Sequence, residues 1–475
     1  MNQQLKPDGT PYKILFIGDF VVPSGFGRIC MEVCKRLVIR GWQLLTISLP
    51  WSGYPDLHGL PFRVIPVGNH TADVMWGLVA NVIAAENPDV VVSCQDFPYA
   101  HTIYHGLRVD WSTKKMLIIT PIDGTPINSQ WLDLTSQVDG TLVISKFGVE
   151  AARLQGYHVD LLHPGVDTNE FHPAENATEL RTVRALVGIK PDAFVIGSFM
   201  MNQGRKAVPD VMEFFYEFAR DKPNAVLYLD MDTPSPAGWD IDETCKQIDP
   251  ALRLMTRERV KRKEDAFKAG LLGLRERYLL CDISAQLAHR EGFGLPNLES
   301  MACKVPPSVI DWCSGSEIAG GGKGILVRCI DYKTIGTWGG ARDAFPDRAD
   351  CLKKWNWLYY HRDHLRSIAS TGYEWAVRQT WDVATDQFEK VLTSVLAKDK
   401  ERKANELASN GSRNTIDTRS DTGDGRSNPP VPPAPVNPLD TNPMLRGEGA
   451  PAVDPLSEQH PTNGGRVTDG NTVAG

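Results

Sequence analysis

No run in this 475-residue chain approaches the roughly 18 consecutive apolar residues of a membrane-spanning helix. The opening Met1-Asn-Gln-Gln-Leu-Lys-Pro-Asp-Gly9 also lacks the apolar stretch of a secretion signal. No integral membrane segment is therefore expected, and the expected location is cytoplasmic. An excess of basic charge is missing too. Lys and Arg number 51 against 58 Asp and Glu, a formal net charge of −7, which argues against nucleic acid or an anionic membrane as a partner held over a broad surface. The nine cysteines form no Cys-x-x-Cys pair; Cys30 and Cys34 are spaced for one helix face but have no nearby histidines to complete a zinc set. No metal site is expected, and the thiols read as reduced and mostly buried. The sequons at Asn69, Asn176 and Asn410 carry little weight without a secretion signal.

What is present is 42 % hydrophobic and 23 % charged residues, enough for two globular domains and further segments. Short apolar runs alternate with helical patterns. Lys13–Ile17, Leu44–Leu49, Val90–Ser93, Met116–Thr120 and Thr141–Ile144 read as strands, with a helix near Arg28–Arg40. Pro164-Gly165 and Pro173 mark a connection, after which Phe194–Phe199, Ala225–Leu229, Tyr278–Ile283, Pro307–Ile310 and Gly324–Val327 restart the alternation. Continuous apolar runs separated by helices imply parallel sheets covered on both faces, so the expected fold is α/β with two doubly wound, Rossmann-like domains. Tyr373–Leu396 carries apolar residues at helical spacing and reads as one long amphipathic helix. Beyond about residue 398 no aromatic residue occurs, and Pro429-Pro-Val-Pro-Pro-Ala-Pro435 sits among Ser, Asn, Asp and Gly, a composition expected to stay disordered.

Three segments carry chemistry. Glu291-Gly-Phe-Gly-Leu-Pro-Asn-Leu-Glu299 sets two acids at either end of a glycine-containing loop at a strand-to-helix junction. Gly292 and Gly294 allow close backbone approach to a ligand, Pro296 suits a first helical turn, and the free N–H groups at such a helix start favour an anion. Met201-Asn202-Gln-Gly-Arg205-Lys206 follows the first strand of the second domain, and two cations at a helix start suit a diphosphate. Ser24-Gly25-Phe26-Gly27-Arg28 follows the first strand of the chain. Cys30 replaces the third glycine of a dinucleotide fingerprint and Thr46-Ile-Ser48 brings no acid for a ribose, which argues against NAD while leaving a glycine loop able to pass a sugar or phosphate.

Taken together, Arg205-Lys206, the Glu-x7-Glu spacing of Glu291 and Glu299, the run on to Cys303, His163-Pro-Gly-Val-Asp167, Phe171-His-Pro173 and Asp311-Trp-Cys-Ser-Gly-Ser-Glu317 resemble the GT-B retaining glycosyltransferases of the group-1, family-four class, over roughly residues 12–397. The resemblance implies an acceptor-side domain at 1–172, a nucleotide-sugar-binding domain at 173–372, a terminal helix at 373–397 crossing back to the first domain, and the disordered tail at 398–475.

It also implies a retaining, metal-independent transfer of sugar from a nucleotide-diphosphate sugar, with no cofactor. Gly25, Gly27, Asn202, Arg205, Lys206, Gly292, Phe293, Gly294, Leu295 and Glu299 would bind the donor, with Glu299 on the ribose and the cations on the diphosphate. Glu291 would steer the sugar hydroxyls. Where relatives often carry a histidine, this chain has Pro121-Ile-Asp123-Gly124, so Asp123 joins Glu291 as a candidate catalytic residue, with His101 and His105 as alternatives. Relatives also often separate the two cations that stand adjacent here. The acceptor stays open among protein, glycan, lipid and modified nucleobase. Alternatives are an epimerase-like GT-B enzyme acting on the donor alone, or an inactive sugar-binding or assembly protein.

Overall fold

The β-branched runs that alternate with helices assemble as two parallel sheets in the computed structural model, which describes residues 5–6, 8–21, 24–49, 59–68, 71–233, 235, 238–334 and 341–413. The first sheet contains β1 (Lys13–Gly18), β2 (Gln43–Ser48), β3 (Arg63–Pro66), β4 (Val90–Cys94), β5 (Lys115–Thr120), β6 (Gly140–Val143) and β7 (Asp160–Leu161), in the order β3-β2-β1-β4-β5-β6-β7. The second contains β8 (Phe194–Phe199), β9 (Ala225–Asp230), β10 (Val260–Arg262), β11 (Ile283–Gln286), β12 (Pro307–Ile310) and β13 (Ile325–Val327), in the order β10-β9-β8-β11-β12-β13. β4 and β8 are buried along their whole length, as strands covered by helices on both faces must be. Each order reverses direction once, between β1 and β4 and between β8 and β11. Open α/β sheets bind ligands at such reversals, beyond the carboxyl ends of the strands.

Three expectations shift. Tyr278–Ile283 is not a strand: Tyr278 ends the helix Leu274–Tyr278, and β11 starts only at Ile283. A short apolar run cannot distinguish a buried strand from a buried helix end, and Tyr278, Leu279 and Leu280 are core residues in the latter setting. Tyr373–Leu396 is not one helix either, but the end of Arg362–Ala376 and the start of Trp381–Arg413. The break is where the connection between the sheets passes: Val166 N–H donates to Gln379 O at 2.8 Å, and a Cβ on Gly165 would lie 2.2 Å from Trp381 N. Helix then restarts behind Thr380, whose Oγ1 accepts from Val383 N–H. Nor does structure end at residue 398. The last helix runs to Arg413, with buried Asp399 3.2 Å from Lys115 Nζ; the proline-rich stretch of the expected tail lies outside the described residues.

That last helix lies along the first sheet. Phe388 packs on Phe16 with ring centroids 5.4 Å apart, Glu389 accepts from Arg40 Nη1 and from Trp42 Nε1 at 2.7 Å each, and Gln387 Oε1 accepts from His163 N–H at 2.7 Å. One continuous apolar core accordingly reaches from Phe16 through Phe388 to Phe199 of the second sheet and Tyr278 of the helix before β11. An antiparallel pair absent from the sequence reading, β14 (Cys329–Thr334) with β15 (Arg342–Pro346), follows the second sheet.

Candidate active site

The loops leaving β1, β4, β8 and β11 carry the polar groups that face one another at the two sheet reversals. On the second-sheet side, β8 leads into a turn of 3-10 helix, Gly204–Lys206, closed by Ala207 in the left-handed region. This turn swings both cations toward the loop after β11. Lys206 Nζ forms a very short ion pair with Glu291 Oε2, while Arg205 Nη1 stands 3.7 Å from the same oxygen and donates to Arg290 O at 2.9 Å. Burial pushes the Glu291 carboxyl up, but Lys206 and then Arg205 outweigh it and hold the carboxyl below its ordinary value. Burial, aided by neighbouring Arg205, lowers the Lys206 ammonium despite Glu291. The three groups form a compact charged knot.

Beyond Glu291 the loop needs both glycines. A Cβ on Gly292 would meet Pro121 Cβ at 2.7 Å, and Gly294 has φ +85° at the cap of the helix Leu295–Ala302. Phe293 turns inward, stacked edge-on against His163 at 4.7 Å, so its ring belongs to the core. His163 Nε2 in turn lies 3.0 Å from Glu317 Oε1, and Glu317 Oε2 accepts from Lys146 N–H at 2.8 Å. Glu299 sits further along the helix, 7 % exposed, and accepts from the Tyr278 hydroxyl at 3.0 Å. Burial raises its carboxyl above the ordinary range, opposed by Arg28 and the Tyr278 hydrogen bond. Arg28 comes from the first-sheet side and pairs with Glu170 at 2.8 Å.

On the first-sheet side, Ser24 caps the helix Gly25–Ile39 by accepting from Gly27 N–H at 3.0 Å. A Cβ on Gly25 would lie 3.8 Å from Leu295, so the two glycine loops face each other. Asp123, after β5, stands 3.8 Å from Arg290 Nη1, while its carbonyl accepts from the Cys313 thiol at 3.1 Å. Arg290 is itself held by Asp343 of β15. Two further acids complete this wall. Asp19 accepts from Gln95 Nε2, and Asp96, at the start of the helix Phe97–His101, is pushed up to about 6, first by burial and then by repulsion from Asp123, with Arg205 opposing and Asp19 adding.

Of the residues singled out from sequence, the structure gathers Glu291, Arg205, Lys206, Gly292, Gly294, Leu295, Gly25, Glu299 and Asp123 around one cleft. Two are otherwise engaged. The Gly27 N–H is taken by the Ser24 cap, and the Asn202 amide braces the 238–239 turn, with its Nδ2 donating to Trp239 O and its Oδ1 accepting from Trp239 N–H, both at 2.8 Å. His101, ending the helix Phe97–His101, and His105, in the π-helical turn Thr102–Gly106 that follows, pack ring to ring at 4.5 Å, both lowered by burial. The sequence reading missed Asp19 and Asp96. An acid directly after an apolar strand and before a Pro-containing helix start, as in Cys94-Gln-Asp96-Phe-Pro98, was the available signal. Among the described residues no group of three His, Cys, Asp or Glu side chains could hold a metal ion.

The family model described as glycosyl transferases group 1 matches residues 272–335, which contain both glutamates and Asp311–Glu317. D-inositol 3-phosphate glycosyltransferase of Mycobacteroides abscessus is 30 % identical over 148 residues, 31 % of this chain and 30 % of that protein. Its counterpart from Mycobacterium sp. (strain KMS) is 26 % identical over 206 residues, 42 % of this chain and 43 % of that protein. The chain thus spans less than half the length of these curated relatives. HepE of Anabaena, solved with UDP and glucose, aligns with a TM-score of 0.60 at 17 % identity, covering 81 % of this chain and 100 % of that one. Sucrose-phosphate synthase of Thermosynechococcus elongatus aligns at 0.62 and 15 %, covering 82 % and 100 %. At such identities the structural likeness is one of fold, the two-sheet GT-B arrangement.

Proposed function

We propose that this chain, which is similar to group-1 glycosyltransferases over residues 272–335, transfers a sugar from a nucleotide-diphosphate sugar to an acceptor, with retention of anomeric configuration and without a metal ion or cofactor. The observation that carries the reading is the charged knot: two cations and one carboxylate meet where β8 and β11 diverge, with a second, buried carboxylate further along the same loop and helix.

The knot suits a diphosphate that competes with Glu291 for Arg205 and Lys206. Breaking the glycosyl–phosphate bond builds negative charge on the departing diphosphate and positive charge at the anomeric carbon; fixed cations stabilise the first, and a freed Glu291 holds the sugar hydroxyls beside the second. Glu299, aimed along the helix from Glu291, accepts hydrogen bonds from the ribose. The acids of the opposite wall give the acceptor its place: Asp96 and Asp123 suit hydrogen bonds from an acceptor hydroxyl, and a carboxyl with a pKa of about 6 is ionised for that role near neutral pH. An enzyme acting on the donor alone has no use for this second set of acids, which favours transfer over epimerisation.

A panel of nucleotide sugars tests the reading. Slow donor hydrolysis and nucleotide-dependent thermal stabilisation are expected, in the presence of a chelator as well as without it; a protein that responds to no nucleotide or sugar nucleotide overturns the assignment. With an acceptor in hand, the anomeric configuration of the product by NMR tests retention.

A further inference from the structure

Beneath the donor loop lies a small cavity of about 10 Å³ whose lining includes Gln286 at the end of β11, Glu291, Asn297 in the helix Leu295–Ala302, and Trp312 after β12. Three of these residues carry a buried polar atom without a hydrogen-bond partner: Gln286 Nε2, Asn297 Oδ1 and Trp312 Nε1. Gln286 is 5 % and Asn297 3 % exposed, so bulk solvent does not satisfy them. An unpaired buried polar group costs roughly 1–3 kcal/mol, and three around one cavity call for a common partner.

The inventory is specific. Two N–H donors and one carbonyl acceptor match the two lone pairs and one of the two protons of a water molecule, and one water needs roughly 10–15 Å³ of such space. A cation is disfavoured by the two N–H groups, and an anion by the Asn297 carbonyl. We propose that a resident water, bridging Gln286, Asn297 and Trp312, is a fixed part of the donor site and sets the position of Glu291.

The three bridged residues come from separate elements: a strand end, the helix behind the glycine loop, and the loop after β12. Trp312 also meets Phe147 of the first-sheet side with ring centroids 6.1 Å apart and Tyr332 of β14 at 5.0 Å. The water therefore ties the floor under Glu291 to a residue in contact with the opposite wall, and its loss lets Glu291 drift from the place where it meets the sugar. Gln286, Asn297 and Trp312 act here as positioning residues. The consequence for turnover rests on the transferase reading; the water site does not.

High-resolution crystal structures of the full chain, alone and with a nucleotide sugar, test the site directly. One ordered water within hydrogen-bond distance of all three atoms is expected without ligand. Direct pairing of the three side chains, or density that appears only as a donor hydroxyl when a sugar nucleotide is bound, overturns the proposal. Trp312→Phe and Gln286→Met each remove one N–H at nearly constant volume, and either suffices if the other does not fold. Each is expected to lose the water and to lower kcat roughly fivefold, the kinetic equivalent of one net hydrogen bond, with nucleotide affinity unchanged. Unchanged kcat in a variant shown to lack the water overturns the positioning role. A protein that binds no nucleotide at all fails the transferase reading, while the crystallographic arm still decides the water.

Discussion

Replacing Asp96 with Asn should stabilise the protein while impairing it. The Asp96 carboxyl is pushed from an ordinary 3.8 to about 6, mainly by burial, with Asp123 and Asp19 adding repulsion against the pull of Arg205. A shift of about two units at about 1.4 kcal/mol each means that holding Asp96 ionised in the fold costs about 3 kcal/mol. The sign follows from proton binding. Between pH 3.8 and about 6 the folded state holds the proton more tightly than the unfolded chain, so stability falls as pH rises through this window, and the penalty is complete above it. Asn keeps the shape and removes the charge. At about pH 8 the variant should therefore gain up to about 3 kcal/mol, several degrees in Tm, and at about pH 4 most of the gain should vanish. Thermal melts at both pH values, beside transfer assays, read the two effects separately. A variant equally stable at both pH values, or destabilised at about pH 8, would refute the burial argument; one that keeps full activity would remove Asp96 from the acceptor wall.

The donor side gives further expectations. Arg205→Ala and Lys206→Ala should each weaken nucleotide-sugar binding by about 1.5–3 kcal/mol by calorimetry, as for a lost charge-assisted contact, and unaltered affinity in both would exclude them from the diphosphate site. Glu291→Gln should lower transfer far more than nucleotide binding; if neither changes, the role assigned to Glu291 is wrong. Tyr278→Phe removes a hydrogen bond that favours ionised Glu299, so the pKa of Glu299 should climb further and the acid limb of nucleotide affinity should move to higher pH, by titration calorimetry across a pH series.

The half of the site proposed to hold the donor was legible because its signals are local. Glu291, the two glycines, Pro296 and Glu299 lie within one junction, where spacing alone fixes which groups stand in the loop and which lie a turn into the helix. The half proposed to hold the acceptor depends on strand order, which the chain does not write down locally. Asp19 and Asp96 are far apart in sequence and become neighbours only because β1 pairs with β4, Gly18 opposite Cys94. Gln95 then reaches back to Asp19 and Asp96 looks across at Arg205. The helix break at residues 377–380 was hidden for a similar reason. Its cause is a backbone contact from Val166, and nothing in the spacing of Trp375, Trp381 and Phe388 reports it.

The two glutamates that define the donor loop end up in opposite electrostatic states, and this difference bears on how binding and chemistry are divided. Glu291 is held below the ordinary range by two cations that a diphosphate would draw away, so its field changes when donor arrives. Glu299 is raised by burial and keeps a neutral hydroxyl, Tyr278, as its direct partner, an environment a diphosphate does not touch. The first carboxylate is therefore responsive and the second constant. Under the proposed transfer, a site that recognises a nucleotide in every cycle and then acts on a bond present only while donor is bound would need one group of each kind, and the Glu-x7-Glu spacing would supply both from a single loop and helix.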